Sequence, residues 1–164
     1  MNRKTLQRTL DAALAHHQAG ELEEAARLYA QVCRAAPNLY DGWYLSGALA
    51  LHAGRLDDAV TMLTRALRLS PSASQCKLFL GMALADLGCY AEAEKPLRAA
   101  LAKHPGYPEA WENLANALCA LERPAEAADC LRRVLALQPD RAEIRERLDA
   151  LPSSAAPVNS VALA

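Results

Sequence analysis

The sequence contains very few of the residues that β-sheets favour. Its 164 residues include only five Val, one Ile and four Thr, but 36 Ala and 28 Leu. Ala and Leu are strong helix formers, whereas β-branched side chains are the ones that a pleated sheet selects. The composition therefore excludes a sheet-based domain and predicts an all-α protein.

An excess of one charge is also missing, and aromatic side chains are scarce. There are 18 basic and 19 acidic residues, which give a net charge of −1, and aromatic residues make up 5% of the chain. Proteins that bind nucleic acids usually carry a basic surplus, and those that bind single strands stack the bases on aromatic rings. We therefore expect no nucleic-acid partner.

Long apolar runs and paired cysteines are absent as well. No run of 18 apolar residues occurs, and Arg8 and Asp11 interrupt the segment where a secretory signal would have its apolar core. The five cysteines are an odd number without a C-x-x-C pair, which argues against a disulfide framework or a zinc site. We expect no membrane insertion, no metal or other cofactor, and a reducing, cytoplasmic location.

The sequence does contain a clear internal repetition with a period of 34 residues. Four kinds of position recur at this interval: a proline (Pro37, Pro71, Pro105, Pro139), a glycine (Gly20, Gly54, Gly88), an alanine (Ala25, Ala59, Ala93, Ala127) and a large side chain (Tyr29, Leu63, Leu97, Leu131). The pattern predicts four helix–turn–helix units over residues 6–39, 40–73, 74–107 and 108–141. Because a single unit cannot bury its apolar face alone, the units are expected to stack.

The segments outside the repeats have different characters. Cations crowd the start of the first helix and oppose its dipole, so we expect residues 1–5 to fray. One apolar face runs along residues 142–151, which predicts a helix that caps the last repeat. Residues 152–164 have neither charge nor periodicity, and we interpret them as a disordered tail. Within the repeats, Pro96 interrupts a helical pattern and indicates either a tolerated kink or a hinge.

The 34-residue unit resembles the tetratricopeptide repeat, whose signature is W-x2-L-G-x2-Y, then A-x3-F, then P. The fourth unit reads W-E-N-L-A-N-A-L from Trp111, followed by Ala127, Leu131 and Pro139. The second and third units match almost as well, and the first matches mainly in its second helix. The resemblance implies a right-handed α-solenoid of helix-turn-helix repeats, in which the first helix of each repeat lines a concave groove.

The resemblance also implies which side chains point into that groove. In this family they are the second, fifth, ninth, twelfth and thirteenth residues of each repeat. Carried over to this sequence, these positions give an apolar track in the first three repeats and a polar, acidic fourth repeat. The candidate partner-binding residues are Leu10, Leu14, His17, Tyr44, Leu51, His52, Leu78, Met82, Glu109, Glu112 and Asn116.

The function that this resemblance implies is protein–protein interaction rather than catalysis. The sequence contains no phosphate-binding loop, no nucleophile elbow and no H-E-x-x-H motif, so we expect no enzymatic activity. We expect a protein or peptide partner with apolar anchors and flanking basic residues. Two alternatives remain open: a secretion or assembly chaperone resembling those of type III systems, and a homo-oligomerising structural scaffold.

Overall fold

The computed structural model describes residues 1–152, so nearly all of the segment interpreted as a disordered tail lies outside the described residues. Residues 1–152 form nine α-helices and no β-strand, which confirms the all-α prediction. The helices are α1 (Arg3–Gln18), α2 (Leu22–Ala35), α3 (Tyr40–His52), α4 (Leu56–Leu69), α5 (Ser74–Asp86), α6 (Tyr90–Leu101), α7 (Pro108–Ala120), α8 (Pro124–Leu137) and α9 (Ala142–Ala150). None of these helices is long and apolar enough to cross a bilayer.

Helices α1 to α8 form four consecutive hairpins, and each hairpin packs against the next one. The backbones of successive first helices, α1, α3, α5 and α7, approach within 8 Å between Cα atoms. Within residues 1–152, the successive second helices α2, α4, α6 and α8 do not come this close to one another. The array is therefore a helical repeat solenoid, as predicted, with its first helices on the inner, concave side.

The turn inside each hairpin depends on a residue with left-handed backbone geometry. Gly20, Gly54 and Gly88 have φ angles of 79°, 70° and 78°, which a residue without Cβ adopts without strain. The equivalent residue of the fourth hairpin is Glu122, whose φ is 58°. The fourth turn thus keeps the same backbone path despite carrying a side chain.

Two other glycines allow the two helices of a hairpin to lie in close contact. A Cβ atom at Gly47 would lie 2.6 Å from the Cγ atom of Leu63, and one at Gly81 would lie 2.6 Å from that of Leu97. Both leucines are fully buried. The large and small side chains that recur in the sequence are therefore packing partners within each hairpin.

Each end of the solenoid is held by contacts of its own. Helix α1 begins at Arg3, and the Asn2 side chain caps it by accepting a hydrogen bond from the Thr5 amide at 2.8 Å. At the other end, Ile144 of α9 is fully buried in the same core cluster as Val134 of α8. Helix α6 continues through Pro96 without a break.

Candidate partner-binding site

Two of the predicted residues meet at the N-terminal end of the concave side. The rings of His17 on α1 and His52 on α3 lie 5.6 Å apart between centroids, with His17 Nε2 3.4 Å from His52 Nδ1. The His17 ring also packs edge-on against Tyr29. Burial, and to a smaller extent the neighbouring His52, lowers the pKa of His17. Within residues 1–152, no group of three His, Cys, Asp or Glu side chains is placed to hold a metal ion.

An aromatic stack connects α3 to α5. Tyr40 and Tyr44, one turn apart on α3, have ring centroids 5.4 Å apart, and Tyr44 stacks on Phe79 of α5 at 5.8 Å. Burial raises the pKa of Tyr44, and the nearby Cys76 and Tyr107 raise it further. The Tyr44 hydroxyl therefore remains protonated and can donate a hydrogen bond to a ligand.

A cavity of about 200 Å³ opens beside this stack, between α5 and α7. It is lined by three of the predicted residues, Leu78, Met82 and Glu109, together with Phe79, Tyr107 and Ala110. The Tyr107 hydroxyl donates a hydrogen bond to Gln75 Oε1 at 3.2 Å, which holds its ring against α5. The walls of the cavity are thus mainly apolar, and Glu109 supplies a single carboxylate.

Two residues of the expected apolar track belong mainly to the core. Leu10 is 8% exposed and Leu78 is 3% exposed, and each lies in a cluster of buried side chains. Their position in the repeat sets the direction of the side chain, but the neighbouring repeat covers it. The expectation that both are exposed anchors is therefore corrected: Leu10 is a core residue, and Leu78 contributes only part of a cavity wall.

Two polar residues of the predicted site are held by the chain itself. Glu112 pairs with Arg141 at 3.1 Å and with Arg147 of α9 at 2.7 Å. Arg147 also donates a hydrogen bond to the side-chain oxygen of Asn116. These interactions fix α9 against α7, so Glu112 and Asn116 are not the free groups that the sequence pattern indicates.

The remaining predicted residues are accessible to different extents. Leu14 is 38% exposed, and Leu51 is half-buried. The carboxylates of Asp41 and Asp86 are exposed on α3 and α5, each in the same helix as a groove residue. The accessible groove is therefore apolar along α1, α3 and α5 and has acidic side chains beside it.

Sequence reasoning did not include Phe79 and Tyr107 in the site. Phe79 lies one residue beyond a groove position of the family pattern, and Tyr107 is the last residue of its repeat, immediately before α7. The signal for both was their aromatic character in a chain with only eight aromatic residues. Attention to aromatic residues near repeat boundaries would have found Tyr107.

Comparisons with known proteins agree with the repeat fold. Two family models described as tetratricopeptide repeat match the chain, one at residues 10–74 and 44–108 and the other at residues 84–151. No curated protein matches the sequence.

Among solved structures, the MamA protein of Desulfovibrio magneticus RS-1 superposes with a TM-score of 0.81 and 22% identity, over 90% of this chain and 83% of that one. YrrB, described as a TPR protein with an unusual peptide-binding site, has a TM-score of 0.76 and 22% identity over 88% of this chain and 74% of its own. At this level of identity, the similarity shows a shared fold.

Proposed function

The chain belongs to the tetratricopeptide repeat family of protein-interaction modules, and we propose that its concave groove binds one extended or helical segment of a partner protein. The observation that carries this proposal is the cavity between α5 and α7. Leu78, Met82 and Glu109, which the family pattern assigns to the groove, line this cavity together.

The size and walls of the cavity indicate what it binds. Small-molecule sites usually enclose roughly 300–1,000 Å³, whereas this cavity has about 200 Å³, which suits a single side chain. Burying one Leu, Phe or Met side chain contributes roughly 1.5–3 kcal/mol. The aromatic stack of Tyr40, Tyr44 and Phe79 extends the apolar surface from this cavity towards α3. A second anchor of the same segment would therefore lie on Tyr44.

The charges beside the groove favour basic residues next to the anchors. Glu109 lines the cavity, and the exposed carboxylates of Asp41 and Asp86 lie on the helices that form the groove. Peripheral charges of this kind act more on the association rate and on specificity than on affinity. Glu112 does not contribute to this recognition, because Arg141 and Arg147 neutralise it.

Two further observations support a binding role in a reducing compartment. The structural neighbour YrrB is described as a peptide-binding protein, so the fold is compatible with the proposed ligand. The five cysteines are free, which is the usual state in the cytoplasm. Binding of an apolar segment would serve an adaptor and a dedicated chaperone equally well, and the identity of the partner decides between them.

A double substitution in the groove tests this proposal. Tyr44→Glu together with Met82→Glu places two charges on the apolar surface, and we expect loss of the natural partner in affinity purification from the source cell. Leu78 is unsuitable for this test because it is 3% exposed, and a charge there would disrupt the core. Helicity and melting temperature show whether the variant is folded.

The control is Arg68→Glu, a charge change at an exposed residue of α4. We expect this variant to capture the partner as the unmodified chain does. If the folded groove variant retained the partner at unchanged affinity, the concave-groove proposal would be wrong. The homo-oligomerising scaffold would then become the leading hypothesis, and sedimentation would test it.

A further inference from the structure

A second apolar cavity lies on the opposite, convex side of the solenoid. It has a volume of about 420 Å³ and lies between α2 and α4, with α3 beneath it. Its lining includes Leu49, which is almost fully buried, and the partly buried Trp43 and Met62. The Trp43 indole is held in place because its N–H donates to the carbonyl oxygen of Pro37 at 2.9 Å.

Arginines surround this cavity. Arg34 and Arg55 line it, and the Arg65 guanidinium lies 5.9 Å from the centroid of the Trp43 ring. Arg55 forms an exposed pair with Asp58 at 3.3 Å, but within residues 1–152 neither Arg34 nor Arg65 has a carboxylate oxygen within 4.0 Å. The cavity is thus an apolar surface with a positive periphery, unlike the concave groove with its acidic side chains.

The equivalent site two repeats later, between α6 and α8, shows which groups such arginines bind. There, Arg123 occupies the position of Arg55, and it pairs with Glu94 at 2.7 Å and with Glu126 at 2.6 Å. Arg98 pairs with the same two carboxylates at 2.8 and 2.6 Å. Four side chains therefore close a ring of ion pairs that joins α6 to α8.

At the equivalent site between α2 and α4, two alanines replace two members of this ring of ion pairs. Ala26 and Ala30 stand where the later repeat has Glu94 and Arg98, and both alanines line the convex cavity. Asp58 takes the position of Glu126, so Arg55 keeps one of the two carboxylates that Arg123 has. The missing element beside Arg55 is the carboxylate that Glu94 supplies to Arg123.

We propose that the convex cavity between α2 and α4 docks an acidic protein segment, which places a carboxylate beside Arg55 and a bulky apolar side chain on Trp43 and Met62. Arg34 and Arg65 attract the other carboxylates of the segment. The ligand has the opposite charge preference to that proposed for the concave groove, so the two faces bind different segments.

The test uses a substitution that completes the missing ion pairs within the chain. In the full chain, Ala26→Glu with Ala30→Arg recreates the side chains of Glu94 and Arg98 at the first site. The probe is the blocked peptide Glu-Glu-Leu-Phe-Glu-Glu, and the readout is the NMR signal of the Trp43 indole N–H. We expect the peptide to shift this signal in the unmodified chain and to bind the double variant at least about tenfold more weakly.

Matched controls distinguish the effect of the added charge on peptide binding from the effects of filling the cavity and of unfolding. The double variant should melt no lower than the unmodified chain, because it forms a network that the fold already accommodates. Ala26→Gln with Ala30→Arg fills the same space without the carboxylate, and we expect this variant to weaken binding less than Ala26→Glu with Ala30→Arg does. A peptide with lysines in place of the glutamates should leave the Trp43 signal unchanged.

Several results would overturn the proposal. The proposal would be wrong if the acidic peptide did not shift the Trp43 signal, or if it shifted only the signal of Trp111, the equivalent residue two repeats later. It would also be wrong if the lysine peptide bound equally well, or if the folded double variant bound the acidic peptide with unchanged affinity. Self-association that the double variant abolishes, without peptide binding, would identify a second copy of the chain as the occupant instead.

Discussion

At the scale of single residues, the fourth hairpin turn differs from the other three. Glycine occupies the left-handed position in three turns, and Glu122 occupies it in the fourth with a φ of 58°. A left-handed conformation costs a residue with a Cβ roughly 1–2 kcal/mol, partly offset by the larger entropy that glycine loses on folding.

We therefore expect Glu122→Gly to stabilise the protein by roughly 0.5–1 kcal/mol, measured by urea unfolding. The reverse change, Gly88→Ala, is the control. A Cβ there meets no atom within 4 Å, so any loss of stability comes from the backbone alone. A lower stability of the Glu122→Gly variant would show that the side chain, not the backbone, dominates at this turn.

The burial of His17, and to a smaller extent its contact with His52, makes stability depend on pH. The pKa of His17 is lowered in the fold, so the unfolded chain binds a proton at this residue more readily than the folded chain does. The stabilisation is therefore fully present above the unfolded pKa near 6.5 and is lost as the pH falls below it.

The expected result is that His17→Gln reduces this loss on acidification. The free energy of unfolding of the variant and of the unmodified chain is compared at about pH 7.5 and about pH 5.5. The difference between the two proteins should shift in favour of the variant at the lower pH. An identical difference at both pH values would contradict the interpretation.

At the scale of helices, α9 covers the open end of the last hairpin. Its Ile144 side chain is fully buried, and Leu148 and Leu151 pack against the same core. Arg147 adds the ion pair to Glu112. The helix thus performs for α7 and α8 the covering role that a following repeat performs for the others.

Replacing Ile144 by Ala should cost about 2–4 kcal/mol of unfolding free energy, because it leaves a cavity in this interface. Leu137→Ala is the matched control, since Leu137 is 44% exposed and its loss should change stability by less than about 0.5 kcal/mol. Equal effects of the two substitutions would mean that α9 does not stabilise the repeats.

The repeat predicted the helices well, and it predicted the site less completely. The prolines, glycines and alanines that recur every 34 residues determine where helices end, where they turn and how closely they pack. These features depend mainly on residues within one repeat. The burial of Leu10 and the pairing of Glu112 depend on a neighbouring repeat or on α9. In the same way, Arg147 reaches Glu112 from 35 residues away. A pattern within one repeat contains no information about such contacts.

At the scale of the whole molecule, curvature separates two surfaces of different chemistry. The first helices approach one another on the concave side, where aromatic and apolar side chains lie beside carboxylates. The second helices diverge on the convex side, where ion pairs link α6 and α8 and arginines surround the cavity between α2 and α4. The concave surface is the one proposed to bind the partner segment.

The most direct test of partner binding in the concave groove is site-specific photo-crosslinking in the source cell. A benzophenone amino acid replaces Met82, which lines the concave cavity, and in a parallel variant it replaces the exposed Arg68 on α4. Mass spectrometry identifies the attached peptide. We expect the Met82 variant alone to capture one defined partner segment, with an apolar residue at the crosslink and Lys or Arg beside it. Capture of the same segment from both positions, or of a peptide from this chain at Met82, would contradict the account.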